Sequence, residues 1–169
     1  MSKVSVVSGD ITRVKVDALI TAVNSGGIWC GGIDRVINRA AGNLFHSQAS
    51  KARPLSDGQV IVARSNGSAH NGAFSNVVFV VDDLQRSLAQ VVYDGLKGAS
   101  DAGFKSVSLP TIRMGVMLGV VEKSVNEAVD EMVKGVKQFL AESPDALKNI
   151  TLVVYNDSKT QSLLQKAFG

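Results

Sequence analysis

Two short and almost uninterrupted apolar runs constrain the fold most strongly: VVFVV at 77–81 and ITLVV at 150–154. A strand with one face in water alternates apolar and polar residues, whereas a strand covered on both faces is apolar throughout. These two runs therefore predict central strands of a sheet that carries helices on both sides.

The remaining elements alternate along the chain in the same way. Strands are expected at 4–7, 17–23, 59–63, 76–81, 106–109 and 150–154, and helices at about 33–42, 44–52, 84–101, 121–141 and 158–168, where apolar residues recur every three or four positions. The segment 65–76, rich in Gly, Asn and Ser, is expected to turn between two strands. Strands joined by crossover helices predict a three-layer α/β/α sandwich around a central mixed, mostly parallel six-stranded sheet.

The size and composition of the chain fit one such unit. Its 169 residues are enough for one hydrophobic core, so a single domain over 1–169 is expected, and we expect a monomer. The lone Cys30 cannot form an internal disulfide and suits a reducing compartment, for which the cytoplasm is the natural choice. No segment approaches the roughly 20 apolar residues that span a bilayer, so no membrane association is expected.

Charge and metal-ligating residues exclude several classes of site. The net charge of +3 favours anionic ligands, but the 18 Lys and Arg are scattered rather than packed into a basic run with interleaved aromatics. With two histidines and one cysteine, the chain has no metal constellation, and neither a metal nor a cofactor is expected. His46 and His70 are therefore interpreted as structural or solvent-facing, and Cys30 as a packing residue rather than a reactive thiol.

Ligands of such sheets bind beyond the strand ends, where loops meet helix N-termini, and three segments converge there. The first is Ser8-Gly9-Asp10-Ile11-Thr12, which follows the first strand. Asp10 could accept a hydrogen bond from an exocyclic amine such as that of adenine, or it could cap a turn or short helix. These five residues alone favour the cap.

The second segment, 23–34, has four glycines within seven residues and leads into a helix. Glycines let backbone N–H groups approach an anion, and the helix adds its positive end, so the loop can cradle a phosphate. Asn24 could hold a sugar hydroxyl. Asp34, in the first helical turn, could orient a water or simply complement the helix dipole.

The third segment, 109–119, again runs from a strand end through glycines toward a helix and would form a second phosphate cradle. Two such loops facing each other suit a diphosphate better than a single phosphate. Arg113 adds a positive charge to this loop, although it could equally point to solvent.

The ordered series GDIT, VDALITAVN, CGGIDRVINRAAG and LPTIRMGV resembles the motifs of macrodomains over nearly the whole chain. The resemblance implies binding of ADP-ribose or an ADP-ribosylated protein. Asp10 would take the adenine amine beside the backbone of Ile11, Asn24 would hold the distal ribose, and Tyr155 would stack on adenine unless it only covers the sheet edge. The two diphosphate loops would be Gly31, Gly32 and Ile33, and Gly115, Val116 and Met117.

Hydrolytic members of the family use an aspartate that matches Asp34, so the resemblance implies an enzyme with Asn24 and Asp34 as catalytic residues. Such an enzyme would hydrolyse mono-ADP-ribosyl esters on acidic side chains or deacylate O-acetyl-ADP-ribose, with water attacking at or near the distal ribose.

The sequence also departs from the family pattern. Cys30 stands where a third glycine is usual, and Arg113-Met114 replace a Ser-Thr or Ser-Ala pair. Arg113 could clamp the diphosphate, or it could crowd the ribose and leave a reader that binds ADP-ribose without hydrolysis. Binding of single-stranded nucleic acid such as poly-adenylate is a third possibility, suggested by the basic net charge.

Overall fold

The computed structural model of the protein describes residues 1–27, 31–114 and 118–169. One sheet holds the six strands in the order β1-β6-β5-β2-β4-β3. Every neighbouring pair is parallel except β3 and β4, which are antiparallel, so the predicted mixed and mostly parallel sheet is confirmed. The strands are β1 (Lys3–Ser8), β2 (Val16–Val23), β3 (Val60–Arg64), β4 (Phe74–Val81), β5 (Ser106–Pro110) and β6 (Asn149–Val154).

In the described residues, four α-helices and one short 3-10 helix, Ile11–Arg13, connect these strands, and a fifth α-helix follows the last strand. Two of the helices begin four residues later than the sequence pattern suggests, because serines cap them: Ser87 accepts from the N–H of Gln90, and Ser124 accepts from that of Glu127. The α-helices are α1 (Gly32–Ala41), α2 (His46–Lys51), α3 (Leu88–Asp101), α4 (Val125–Glu142) and α5 (Ser158–Phe168).

The apolar run of β4 divides its side chains between two cores, one on each face of the sheet. Val78 and Val80 pack with residues of α3, α4 and α5. Val77, Phe79 and Val81 pack on the other face with residues of α1 and α2. All five are at most 1% exposed, so the prediction of a central strand covered on both sides is confirmed.

The topology brings the C-terminal ends of five parallel strands to one edge of the sheet, in the order β1, β6, β5, β2 and β4. Because ligands of α/β sheets bind beyond the carboxyl ends of the strands, this edge is where a site is expected. Within the three described stretches, none of the helices has the length and apolar composition needed to cross a bilayer.

Candidate ligand-binding cleft

One end of this edge is formed where the neighbouring strands β1 and β6 finish. Ser8 pairs with Val154, and the N–H of Gly9 donates to the Val154 carbonyl at 3.0 Å. Asp10 and Tyr155, which come soon after these strand ends, therefore lie at the same end of the sheet although 145 positions separate them in sequence. Tyr155 is 79% exposed, so its ring is available to a flat ligand.

Asp10 caps the short 3-10 helix, as its sequence position favoured. Its Oδ1 accepts from the backbone N–H of Thr12 at 2.9 Å and from the Thr12 hydroxyl at 2.7 Å. The hydroxyl bond is the main reason that the pKa of Asp10 lies below its ordinary value. Oδ2 has no hydrogen-bond partner among the described residues, so the cap leaves one carboxylate oxygen for a ligand.

The first glycine-rich loop begins at Asn24, directly after β2. Two hydrogen bonds hold its described residues to other parts of the protein. The N–H of Ser25 donates to Oδ1 of Asp83 at 2.8 Å, and the Arg53 guanidinium donates to the Gly27 carbonyl at 3.2 Å. Gly27 has a φ of +74°, and the guanidinium of Arg53 occupies the place that a Cβ would take. Glycine adopts this φ without strain and leaves room for the Arg53 guanidinium, which explains part of the glycine enrichment.

The same loop ends by forming the N-terminus of α1. Gly31 is the N-cap residue and makes no side-chain cap bond, and both Gly31 and Gly32 are exposed. The N–H groups of a first helical turn have no partner inside the helix, and together with the helix dipole they favour an anion. Ile33 differs from its neighbours because its side chain also packs against the core.

Asp34, in the first turn of α1, is buried and bonded to a histidine. Its Oδ1 lies 2.9 Å from Nε2 of His46, and the side chains are 10% and 8% exposed respectively. Its Oδ2 lies 3.6 Å from where a Cβ on Gly31 would be. Because an ionised carboxylate can only accept hydrogen bonds, Nε2 of His46 carries the hydrogen. Asp34 therefore does more than complement the helix dipole.

A groove of about 610 Å³ runs over this pair of side chains. Its lining includes Asp34 and His46 together with two exposed arginines of α1, Arg35 and Arg39. The groove thus combines one buried carboxylate with positive charge at its rim, an arrangement that suits an anionic ligand carrying a polar reacting group.

Arg113 does not point to solvent, so that expectation is wrong, and its guanidinium is bonded to internal partners rather than left free for a diphosphate. Its side chain is 2% exposed, and its guanidinium forms a two-bond fork with Asp82, Nε to Oδ2 at 3.0 Å and a terminal nitrogen to Oδ1 at 2.7 Å. The other nitrogen donates to Glu122 at 3.2 Å. The side chain therefore anchors the protein internally.

The ionisation of this buried group follows from its partners. Burial opposes the charge, but the hydrogen bonds to Asp82 and the charges of Asp82 and Glu122 outweigh it and raise the pKa of Arg113. Arg113 and Glu122 flank the second glycine loop, and Asp82 directly follows β4. The three side chains accordingly fix both ends of that loop to the sheet.

The predicted second cradle, Gly115, Val116 and Met117, lies outside the described residues, as do Trp29 and Cys30. Beyond the second loop, Val120 is 56% exposed at the rim. Among residues 1–27, 31–114 and 118–169, no group of three or more His, Cys, Asp or Glu side chains could hold a metal ion.

The sequence matches the Macro domain family over residues 20–128, more than half of the chain. The protein belongs to the macrodomain family. It is 27% identical over 164 residues to O-acetyl-ADP-ribose deacetylase 1 of Pantoea vagans, covering 92% of this chain and 93% of that protein. It is 30% identical over 123 residues to the O-acetyl-ADP-ribose deacetylase of Escherichia fergusonii, covering 68% and 70%. An uncharacterized Thermotoga maritima protein is 26% identical over 99% of this chain, which spans only 28% of that protein's length.

Solved structures agree on the fold of this macrodomain. The Trypanosoma brucei macrodomain in complex with ADP-ribose superposes with a TM-score of 0.80 at 20% identity, covering 98% of this chain and 69% of that one. A mutant of the Oceanobacillus iheyensis macrodomain gives a TM-score of 0.78 at 21% identity, covering 96% and 88%. At these identities the likeness establishes the three-layer architecture.

Sequence reasoning missed the polar partners of the macrodomain's two loops. His46 was interpreted as structural or solvent-facing, yet it bonds the buried carboxylate of Asp34. Asp82 and Glu122 carried no motif, although Asp82 directly follows the predicted strand 76–81 and Glu122 lies at the start of the predicted helix 121–141. One signal was present: Asp82 follows a buried parallel strand, which is where polar residues of α/β sheets tend to serve a site.

Proposed function

We propose that this macrodomain binds ADP-ribose and hydrolyses mono-ADP-ribosyl esters on acidic side chains or deacetylates O-acetyl-ADP-ribose. The relatives from Pantoea vagans and Escherichia fergusonii are named O-acetyl-ADP-ribose deacetylases, and the Trypanosoma brucei macrodomain forms a complex with ADP-ribose; both support this proposal. It also draws on the cleft itself.

The order of strands supports an elongated ligand. Three inter-strand steps separate the end of β1, with Asp10, from the end of β2, with Asn24. At about 4.8 Å a step, these ends lie about 14 Å apart, a span that suits a nucleotide joined through a diphosphate to a second sugar. Asp10 and Tyr155 would hold adenine, the N-terminus of α1 would hold the diphosphate, and Asn24 would hold the distal ribose.

The observation that carries the enzymatic proposal is the buried carboxylate of Asp34 in the first turn of α1, beside a helix N-terminus that has no side-chain cap. A diphosphate bound to the first-turn N–H groups would bring the neighbouring ribose ester toward this carboxylate. Asp34 would then orient a water and accept its proton as the water attacks the ester, and the products would be free ADP-ribose and the carboxylic acid. General-base help of this kind is worth about 10²–10⁴-fold.

Turnover tests the proposal directly. The wild-type protein, mixed with a peptide mono-ADP-ribosylated on glutamate or with O-acetyl-ADP-ribose, should release free ADP-ribose. Asp34→Ala should slow release about tenfold or more while calorimetric affinity for ADP-ribose stays near the wild-type value. Equal rates for the two proteins would refute the role of Asp34.

Binding has its own control. Asp10→Ala should weaken ADP-ribose binding, because the unbonded oxygen of Asp10 is the acceptor offered to adenine. Tight binding without hydrolysis across several linkages would instead identify a reader module. Affinity for poly-adenylate that falls steeply with salt would point to nucleic-acid binding.

A further inference from the structure

We propose that His46 is a positioning residue that acts through Asp34, holding Oδ1 so that Oδ2 faces the groove in the orientation that hydrolysis requires. This inference rests on the proposed function and adds a residue to it. The pairing observed between α1 and α2, Nε2 to Oδ1 at 2.9 Å, carries the inference.

Both members of the pair are held by rigid parts of the fold. On α1, Ile37 follows Asp34 by one turn and is completely buried. On the α2 side, the preceding Phe45 is completely buried, and the His46 ring packs against Phe79 of β4 with ring centroids 5.0 Å apart. The imidazole therefore has little freedom to rotate. Its position sets the orientation of the Asp34 carboxylate, rather than the reverse.

A second set of contacts fixes α2 against the edge of the sheet. The Gln48 side chain donates to the carbonyl of Arg64 at 2.7 Å and accepts from its N–H at 3.0 Å, so it pairs with β3 as another strand would. A six-residue helix is short, and this bond pair together with the buried Phe45 compensates for its length. His46 thus projects from a fixed support.

The Asp34 carboxylate must be held in one orientation because it lies in the first turn of α1. A carboxylate in the first turn of a helix can rotate toward the free N–H groups of that turn, where its negative charge is favoured. Those N–H groups are the ones the proposed function gives to the diphosphate. By holding Oδ1, His46 keeps Asp34 from competing for them and leaves Oδ2, beside Gly31, for the attacking water.

The kinetic test is a double-mutant cycle between the two residues. His46→Leu should lower kcat about tenfold or more with little change in KM, because the role proposed for the imidazole is to hold Asp34 and not to bind the substrate. His46→Gln should keep most of the activity, because its amide nitrogen can still donate to Oδ1. In the Asp34→Asn background, His46→Leu should cost less than about twofold, because a residue that acts through Asp34 has nothing left to position.

His70→Leu is the matched control, since this second histidine packs on Phe45 and Phe74 rather than on Asp34. Its turnover should equal that of the wild type. The inference would be overturned if the losses of kcat in His46→Leu and Asp34→Asn multiplied in the double variant. It would also be overturned if His46→Gln were as slow as His46→Leu.

Crystal structures separate this inference from the proposed function. The Asp34 carboxylate should turn toward the first-turn N–H groups in His46→Leu and keep its wild-type orientation in His46→Gln. An unmoved carboxylate in His46→Leu would refute positioning even in an active enzyme. A different result is that the wild type turns over none of the substrates while the Asp34 carboxylate still rotates in His46→Leu. That result would refute the hydrolytic function and support the positioning role of His46.

Discussion

Arg113→Met should destabilise the protein more than any other single substitution in the cleft, because it leaves two buried carboxylates without their cation. The Asp82 and Glu122 side chains are 5% and 4% exposed, and the guanidinium supplies the positive charge that both contact. Arg113 also donates to the carbonyl of Arg86 at 2.6 Å. Methionine fills much of the same volume but donates no hydrogen bond.

The size of the effect follows from the burial of the group. Removing one partner of a buried ion pair typically costs about 3–5 kcal/mol, because the remaining charge is left desolvated and unpaired. Here two carboxylates lose the same partner, so the upper half of that range is expected. A domain of this size is stable by about 5–15 kcal/mol, and the variant should therefore lie close to the limit of folding. The φ of +60° at Arg113 adds backbone strain that the side-chain bonds now hold in place.

Urea denaturation at pH 7 measures the loss, with equal m-values as the condition for comparing midpoints. Arg113→Lys should fall between wild type and Arg113→Met, since lysine keeps the charge but cannot form the two-bond fork with Asp82. A triple variant, Asp82→Asn with Arg113→Met and Glu122→Gln, should recover part of the loss, because no net charge is then buried. A cost below about 1 kcal/mol for Arg113→Met would refute the reasoning, since it would place these groups in contact with water.

Three further predictions concern adenine binding, a helix cap and the contact between two helices. Tyr155→Ala should weaken ADP-ribose binding in calorimetry by about 1–3 kcal/mol and leave the urea midpoint unchanged, because the ring is 79% exposed. Asp157→Ala should destabilise the protein by about 1 kcal/mol in urea at pH 7 through loss of the α5 cap. Hydrogen bonds from the Thr160 hydroxyl and N–H hold the pKa of Asp157 below its ordinary 3.8, so the stabilisation is present above that pH. The difference in unfolding free energy between wild type and Asp157→Ala should therefore disappear as the pH falls through the lowered pKa. Gly135→Ala should cost about 1–3 kcal/mol by thermal unfolding, because its Cβ would meet the Ala89 carbonyl where α4 crosses α3.

The sheet could be predicted from the sequence because each strand is a local pattern. The apolar runs at 77–81 and 150–154 indicated burial on both faces, and the structure places β4 and β6 inside the sheet. Helix beginnings were harder to locate. Apolar periodicity extended the third and fourth helices upstream of Ser87 and Ser124, although those serines compete for the first N–H groups and set the boundaries.

The polar contacts of the cleft could not be predicted, because they join residues that are distant in sequence. Asp34 and His46 lie on different helices, and their meeting depends on the turn between α1 and α2. Arg113 is 31 residues from Asp82, and no local pattern distinguishes an inward arginine from an exposed one. Glycine spacing did locate the turn between β2 and α1, because the φ of +74° at Gly27 is a conformation that glycine adopts without strain.

Two consecutive aspartates after β4 link the two loops of the cleft. Asp82 binds Arg113, at the start of the second loop, and Asp83 accepts from the N–H of Ser25 in the first. The N–H of Asp82 also donates to the carbonyl of Val23 at 2.7 Å, which joins the end of β4 to the end of β2. One loop is therefore bonded to Asp82 and the other to Asp83, so adjacent residues hold the described ends of both loops beside the ends of β2 and β4.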